Sequence, residues 1–123
     1  MVIPRNYVPR CGDVVWLALS LPNGITLNPQ SGHEQTGRHP ALVLSPESYN
    51  GKTGLAMFCP ITSQIKGYPF EVLLPEGLPI KGAVLSDQVK SLDWRARKAE
   101  LICTLPDETT SEVIEKLGTL IFP

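Results

Sequence analysis

Short apolar runs separated by turn-forming residues limit how this chain can fold more than any other feature. The runs are too short for typical helices, they are rich in β-branched residues, and Pro, Gly, Asn and Ser cluster between them. Such runs predict β-strands, which we place at 14–19, 40–44, 55–61, 68–74, 82–85 (or 82–89) and 99–105. A small hairpin arm is also expected at 25–27, after Asn23-Gly24.

Helical signals are few before the C-terminus. Ser45, as an N-cap followed by Pro46, predicts a short helical turn as far as Tyr49, with a turn at 50–54 after it, and 93–98 suits a short basic helical turn. From residue 107 the apolar period becomes helical. Asp107 is the expected N-cap of this helix, and one face carries Val113, Ile114, Leu117, Leu120 and Ile121.

These elements predict a mainly β fold with a C-terminal helix. About six short strands would form a strongly curved antiparallel sheet or small barrel, with the helix packed against it. At 123 residues and 42% apolar content the chain fits a single domain, 1–123. No apolar run reaches 18 residues and the first ten residues lack a signal-peptide core, so we expect no membrane contact and a cytoplasmic location.

Cysteine content and charge exclude several classes of protein. The three cysteines and two histidines show neither a disulfide framework nor a zinc spacing, so we interpret the cysteines as small buried or half-buried hydrophobes. A formal charge of −1 argues against coating nucleic acid by bulk electrostatics. Residues 1–99 nevertheless hold ten Lys/Arg and seven Asp/Glu, whereas residues 100–123 hold one and five. A locally basic face and ordinary scattered charge both fit these counts.

A polar loop that runs into the second predicted strand could carry chemistry. It contains Glu34, Gln35, Arg38 and His39, directly before Pro40. Arg suits phosphate geometry and His titrates near neutral pH, so the group could bind phosphate and move protons. Taken alone, the spacing fits a solvent-facing polar loop better.

Two other polar groups could contact a polyanion. Thr62-Ser63-Gln64 follows an apolar strand and could donate hydrogen bonds to phosphate or to a base edge, although such triplets also simply end strands. Basic residues beside aromatic ones can hold single-stranded nucleic acid, but the aromatic residues could instead belong to the core, an interpretation that is equally open for Trp94 and favoured for Phe70. The basic residues are Lys66, Lys90, Arg95, Arg97 and Lys98, and the aromatic residues are Tyr68, Phe70 and Trp94. An enzyme acting on phosphodiesters and a barrel that only binds both remain open.

Short motifs spread over nearly the whole chain have a familiar order and spacing. They are YVP at 7–9 with GD at 12–13, GHEQ at 32–35 with Gly37, PALVLSP at 40–46, YN at 49–50, KTG at 52–54, Pro60 with Thr62, KGYPFEV at 66–72, DQVKS at 87–91 and WRAR at 94–97. Together they resemble the MazF/PemK family of toxins from type II toxin–antitoxin systems.

The resemblance implies a fold, an activity and partners. The fold would be the SH3-like small barrel of the CcdB/PemK/MazF type, assembled as a homodimer. The activity would be metal-independent, sequence-selective cleavage of single-stranded RNA, giving 2′,3′-cyclic phosphate and 5′-hydroxyl ends without a cofactor. A cognate MazE-like antitoxin would bind through an extended acidic C-terminal segment.

The resemblance also implies site residues. The family has a Thr two residues after the Pro that ends strand three, and Thr62 matches it. The family Arg that precedes the Pro of strand two is His39 here, and Arg38 lies one place earlier. The implied catalytic residues are Glu34, Arg38, His39 and Thr62; the implied RNA contacts are Ser63, Gln64, Lys66, Gln88 and Lys90; the implied antitoxin contacts are Trp94, Arg95 and Arg97.

Three explanations account for the order Arg38-His39-Pro40. Neighbouring side chains in an extended segment point to opposite faces, so Arg38 needs a local kink to replace the missing Arg. His39 could work as a substitute, Arg38 could reach back into the site, or the site could be disabled. Impairment is favoured because His lacks the bidentate phosphate grip and the permanent charge of Arg.

The 20–31 connection, longer than is usual in the family, could alter substrate choice.

Overall fold

Seven antiparallel strands in a curved sheet and two helices make up residues 6–19 and 37–123, the parts of the chain that this computed structural model describes. The predicted hairpin arm at 25–27, the 20–31 connection and Glu34 lie outside these residues. The elements are β1 (Asp13–Ala18), β2 (Arg38–Val43), α1 (Glu47–Thr53), β3 (Leu55–Thr62), β4 (Glu71–Leu73), β5 (Ala83–Leu85), β6 (Lys90–Asp93), β7 (Glu100–Thr104) and α2 (Asp107–Ile121).

The sheet has the strand order β4-β5-β3-β2-β1-β7, and β6 pairs with β3. Strand β3 is the longest, and it pairs with β6 near its start, with β2 in its middle and with β5 at its end. The predicted mainly β fold with a C-terminal helix is therefore confirmed. Among the described strands β4 and β7 are the two ends of the path, so the sheet is strongly curved but is not a closed barrel.

Two apolar clusters lie on opposite faces of the central strands. Because side chains alternate along a strand, Val14 of β1 enters one cluster while its neighbour Val15 enters the other. Val113 of α2 completes the first cluster, and Trp94 completes the second. Burial on both faces explains why β1 and β2 read as continuous apolar runs rather than as an alternating pattern.

The strand prediction is wrong in number and in some boundaries. Strand β6 was missed because Lys90–Asp93 is largely exposed and carries almost no apolar signal. Strand β4 is confined to Glu71–Leu73, and the preceding residues 64–70 form a loop with a turn at its end rather than strand. Strand β2 begins at Arg38, two residues earlier than predicted, so the polar pair before Pro40 lies in the sheet.

Helix α1 is longer than predicted and begins differently. The hydroxyl of Ser45 donates to Asn50 Oδ1 (2.6 Å) and accepts from the backbone N–H of Met57 (2.8 Å), so it does not cap the helix. Asn50 was expected in a turn but is fully buried, and its amide donates to the backbone carbonyl of Pro9 at 2.8 Å. The helix ends at Thr53 and is capped by Gly54, whose φ of 76° suits glycine.

Helix α2 packs on the sheet mainly through its first half. Val113 is fully buried, whereas Ile114, Leu120 and Ile121, predicted to lie on the same packed face, are exposed. The sequence predicted Asp107 as the N-cap of this helix. Pro106 occupies that position instead, and Asp107 is the first helical residue. In the described ranges, neither helix has the length and apolarity that crossing a bilayer requires.

The three cysteines, all within the described ranges, carry free thiols. Cys59 is buried and Cys103 is half-buried as predicted, but Cys11 is exposed in the turn before β1, which contradicts the prediction for it. Burial raises the pKa of the Cys59 thiol to about 12, so this side chain behaves as a small hydrophobe.

Candidate active site

A groove of about 360 Å³ opens where strand β3 ends, and we call it the Thr62 groove. Its walls come from the end of β3, from the loop that leads to β4 and from the turn after β5. It is lined by Thr62, Gln64, Lys66, Tyr68, Glu71, Leu85 and Gln88. Four of these residues belong to the predicted site, namely Thr62, Gln64, Lys66 and Gln88.

Thr62 is held rigidly at the base of the groove. It pairs with Ala83 of β5, and only 4% of the residue is exposed. Its hydroxyl oxygen accepts the backbone N–H of Gln64 at 3.0 Å, which leaves the hydroxyl proton available for donation. Next to Ala83, Gly82 has a φ of 133°, and a Cβ atom there would lie 2.2 Å from the Thr62 carbonyl oxygen. Glycine therefore permits the close approach of backbones that fixes Thr62.

A single carboxylate organises the loop on one side of the groove. Glu71 accepts hydrogen bonds from three consecutive backbone N–H groups, which belong to Lys66 (3.1 Å), Gly67 (2.9 Å) and Tyr68 (3.2 Å). Hydrogen bonds to an ionised carboxylate are roughly twice as strong as neutral ones. Glu71 was not predicted as a site residue, and it fixes the backbone that carries the predicted Lys66.

Side chains alternate along this loop. Gln64 and Lys66 line the Thr62 groove, whereas Ile65 between them lines a separate apolar groove with Leu73. The polar groove thus offers two amide side chains and an ammonium group next to a hydroxyl. This combination can bind a phosphate and the polar edge of a base.

Tyr68 also lines the groove, and it lies six residues after Thr62 in the chain. Its hydroxyl donates to Asp87 Oδ2 at 2.5 Å, which links the loop to the turn after β5. The hydrogen bond to Asp87 raises the pKa of the Tyr68 phenol, so the phenol stays protonated as a donor. Neither residue was placed in the predicted site, although the sequence showed Tyr68 beside basic residues.

Arg38 and His39 lie on opposite faces of β2, as expected for neighbours in a strand. Arg38 pairs with Glu100 of β7 at 2.6 Å, and its guanidinium carbon lies 5.2 Å from the centroid of the Trp16 ring. Arg38 is not one of the residues that line the Thr62 groove. In the described structure the Arg38 side chain is therefore engaged on the other face of the sheet.

His39 is buried, with 4% of the residue exposed, and it pairs with Leu17 of β1. The pairing of β2 with β3 places Ala41 opposite Pro60 and Val43 opposite Phe58. The pairing ends there, but His39 lies two residues before Ala41 and Thr62 two residues after Pro60, so both lie on the sheet face that carries Ala41 and Pro60. His39 is not one of the residues that line the Thr62 groove, so neither Arg38 nor His39 contributes to its lining.

The remaining predicted residues have varied surroundings. Ser63 and Lys90 are exposed near the groove but do not line it. Arg95 is exposed, stacks on Trp94 with its guanidinium carbon 4.5 Å from the ring centroid, and donates to the carbonyl of Gly51. Trp94 itself is buried in the second apolar cluster. Of the two interpretations that the sequence left open for Trp94, the structure therefore supports the core residue.

Arg97, predicted to contact the antitoxin, is buried. Its Nη1 donates to the backbone carbonyls of Ala18 (3.0 Å) and Leu19 (3.1 Å), at the end of β1. Burial lowers the pKa of this guanidinium. Of the three predicted antitoxin contacts, Arg95 alone has an exposed side chain. Within residues 6–19 and 37–123, no three His, Cys, Asp or Glu residues cluster as metal ligands.

Fold and groove together define a small curved-sheet protein with a polar site at a strand end, and comparison with known proteins assigns its family. A family model described as the PemK-like, MazF-like toxin of type II toxin–antitoxin systems matches residues 10–121. The chain is 44% identical over 116 residues to the endoribonuclease toxin MazF of Escherichia coli K12, covering 94% of this chain and 96% of that one. The chain belongs to the PemK/MazF toxin family.

Solved structures agree with this assignment. A crystal structure of MazE–MazF from Deinococcus radiodurans superposes with a TM-score of 0.80 at 47% identity, and one of MazF alone from that organism with 0.78 at 53%. Each comparison covers 94% of this chain and 97% of the other. The described fold is thus that of MazF structures.

The role assigned to Glu71 predicts a local effect of its neutralisation. Glu71→Gln replaces the carboxylate that accepts three amide hydrogen bonds with a neutral amide, and hydrogen bonds to charged groups contribute about 1.5–3 kcal/mol each. We expect hydrogen exchange at Lys66, Gly67 and Tyr68 to accelerate about ten-fold or more, as measured by NMR. Glu76→Gln, which removes the same negative charge from an exposed residue, should leave these rates unaltered. Equal rates in both variants would contradict the role of Glu71.

Proposed function

We propose that this chain is an endoribonuclease toxin that cuts single-stranded RNA in the Thr62 groove. The observation that supports the proposal most is that Gln88, from the separate motif at 87–91, lines the same groove as Thr62, Gln64 and Lys66. A hydroxyl donor, an ammonium group and amides in a partly enclosed space suit a phosphodiester with its bases. The E. coli relative is named as an endoribonuclease toxin.

The proposed reaction is an internal transfer that needs no water in its first step. The 2′-oxygen of the substrate forms a bond to the adjacent phosphorus while the bond from phosphorus to the 5′-oxygen breaks. The 2′-hydroxyl gives up its proton to a base, and the departing 5′-oxygen takes one up. The products are a 2′,3′-cyclic phosphate and a 5′-hydroxyl, so the protein must move two protons and stabilise charge on phosphorus. No metal or other cofactor is part of this proposal.

Residues of the groove can supply part of this chemistry. The hydroxyl proton of Thr62 can be donated to a phosphoryl oxygen, because its oxygen already accepts the Gln64 N–H. The Lys66 ammonium can balance the charge of a neighbouring phosphate. His39 occupies the position of the family Arg and lies on the same face of the sheet as Thr62, and an imidazole side chain can donate or accept a proton. Glu34 remains the proposed additional acid or base.

The position of Arg38 bears on the three explanations for the Arg38-His39-Pro40 order. The ion pair with Glu100 and the stacking on Trp16 hold Arg38 on the opposite face of β2. This favours the two explanations in which His39 alone occupies the catalytic position. We propose that cleavage is slow, because a buried imidazole cannot provide the bidentate grip of a guanidinium on the phosphorane.

The proposed partners follow from the family. We propose a homodimer that binds a MazE-like antitoxin through an acidic segment lying along the RNA path. The D. radiodurans relative was crystallised as MazE–MazF. The exposed Lys66 and Lys90 near the groove and the exposed Arg95 suit an acidic ligand. Sequence selectivity would come from Gln64 and Gln88, because amide side chains can recognise base edges.

A second candidate is a barrel that binds RNA or antitoxin without cutting. The observation that favours it is the replacement of the family Arg by the buried His39, together with the engagement of Arg38 by Glu100. The two candidates share the groove and differ in turnover. The ends of the RNA products therefore separate them.

Loss of the Thr62 hydroxyl should abolish cleavage. We expect Thr62→Ala to lower the single-turnover rate about a hundred-fold or more, the usual cost of removing one hydrogen-bond donor to the developing charge. The measurement is end-mapping of fragments from a long single-stranded RNA, in which the cut ends should carry 5′-hydroxyl groups. Thr62→Ser, which keeps the hydroxyl, is the matched control. A natural chain that binds RNA without cutting it would support the second candidate.

Restoring the family residue should raise activity. We expect His39→Arg to increase the single-turnover cleavage rate about ten-fold to a hundred-fold on the same RNA, because a guanidinium can hold two phosphoryl oxygens. The gain should disappear in the His39→Arg, Thr62→Ala double variant, and thermal unfolding should show that each variant is folded. An unchanged or lower rate in folded His39→Arg protein would contradict the proposal that His39 slows cleavage.

A further inference from the structure

Tyr68 combines exposure with immobilisation, and the proposed chemistry gives it no role. The residue is 45% exposed, yet it lines the Thr62 groove. Exposed side chains normally keep their rotamer freedom, because fixing them costs conformational entropy without a gain from burial. A fixed and exposed aromatic ring on the wall of a groove therefore needs an explanation in terms of a ligand.

Both ends of Tyr68 are tied down by carboxylates. Its phenolic hydroxyl donates to Asp87 Oδ2 at 2.5 Å, and its backbone N–H donates to Glu71 Oε1 at 3.2 Å. Asp87 belongs to the turn after β5, whereas Glu71 begins β4, so the two bonds attach the residue to different elements. The two ends of the side chain are consequently fixed by the fold before any ligand arrives.

One neighbouring ring adds a third restraint. The centroid of Phe70 lies 5.8 Å from that of Tyr68 with 47° between the ring planes, a tilted contact that is favourable for aromatic pairs. The backbone of Phe70 is held in place, because its carbonyl accepts hydrogen bonds from the backbone N–H and the hydroxyl of Ser86. Because Tyr68 is 45% exposed and lines the Thr62 groove, part of its surface is open to a ligand in the groove.

We propose that the Tyr68 ring is a stacking platform for one unpaired nucleobase of the RNA, and this inference rests on the proposed function. Unpaired bases of single-stranded RNA commonly stack on aromatic side chains. Lys66 lies two residues before Tyr68 on the same groove wall and can bind the adjoining phosphate. The RNA strand would then run between Thr62 and Tyr68, with the cleaved bond at Thr62 and the stacked base at Tyr68.

A stacking platform differs from a catalytic residue in its effects. Tyr68 would act on substrate affinity and on the placement of the strand, so its loss should raise Kd and KM more than it lowers the single-turnover rate at saturating RNA. Stacking is tolerant of base identity because every base has a π face. We therefore expect Tyr68 to set the position of the strand, while the amides of the groove read its sequence.

The test is a double-mutant cycle between protein and RNA. The probe is a single-stranded RNA of about ten nucleotides that contains the mapped cleavage sequence, with a 2′-deoxy residue at the cleaved position to prevent turnover. Cleavage is mapped with the natural chain or, if that is slower, with His39→Arg. Abasic residues then replace each base in turn, and Kd is measured for the natural chain, for Tyr68→Leu and for Tyr68→Phe.

We expect Tyr68→Leu to weaken binding of the intact RNA about ten-fold, and Tyr68→Phe, which keeps the ring, to retain most of the affinity. Removing the base at one position should weaken binding about ten-fold in the natural chain and hardly at all in Tyr68→Leu. Tyr49→Leu is the matched control, because Tyr49 is 41% exposed on helix α1 and does not line the groove. In Tyr49→Leu, each abasic substitution should change Kd by the same factor as in the natural chain.

The outcomes separate this inference from the proposed function. If every abasic substitution costs the same in the natural chain and in Tyr68→Leu while the RNA is still bound and cut, the stacking platform is refuted and the endoribonuclease remains. If neither the natural chain nor His39→Arg binds or cuts single-stranded RNA, both proposals fail. If Tyr68→Leu is unfolded, Tyr68→Trp replaces it, and its fluorescence must be quenched by intact RNA and not by the critical abasic RNA. Equal quenching by both would refute the platform.

Discussion

Strand β3 is the element on which the rest of the structure depends, because one eight-residue strand pairs with three others. Its middle pairs with β2, and its end pairs with β5 through Ile61 and Thr62. The glycine at position 82 permits the approach of backbones that the pairing at Thr62 requires. The hydroxyl that we place at the scissile phosphate is therefore fixed by backbone hydrogen bonds rather than by a flexible loop.

Two carboxylates to which we assign no catalytic role hold the walls of the groove in place. Glu71 gathers three backbone N–H groups of the loop, and Asp87 holds the phenol of Tyr68 from the turn after β5. Lys116 of α2 adds a bond to the carbonyl of Pro69 at 2.6 Å, which connects the C-terminal helix to the same loop. A binding surface arranged in advance loses less entropy when the ligand arrives.

Much of this arrangement was predictable from sequence. The short β-branched runs identified β1, β2, β3 and β7, and the change of period identified α2, because those segments bury enough apolar surface to leave a pattern. The motif resemblance placed Thr62, Gln64, Lys66 and Gln88 in one site, and the structure brings them into one groove.

What was missed depends on contacts that no local pattern records. Glu71 acts on backbone groups three to five residues before it, and Arg38 pairs with Glu100, sixty-two positions away. Trp94 and Arg97 resemble surface residues in a basic segment but are buried, since one fills a core cluster and the other donates to carbonyls at the end of β1. Strand β6 is mostly polar and exposed, so it has almost no hydrophobic signature.

The central claim is that RNA lies in the Thr62 groove, and amide chemical shifts test it most directly. In an NMR titration of the ¹⁵N-labelled protein with a non-cleavable single-stranded RNA, the account predicts that the largest shifts fall on residues 62–68 and on Gln88. The largest shifts on the Arg38–Glu100 face of the sheet or on helix α2, with the groove unaffected, would contradict it.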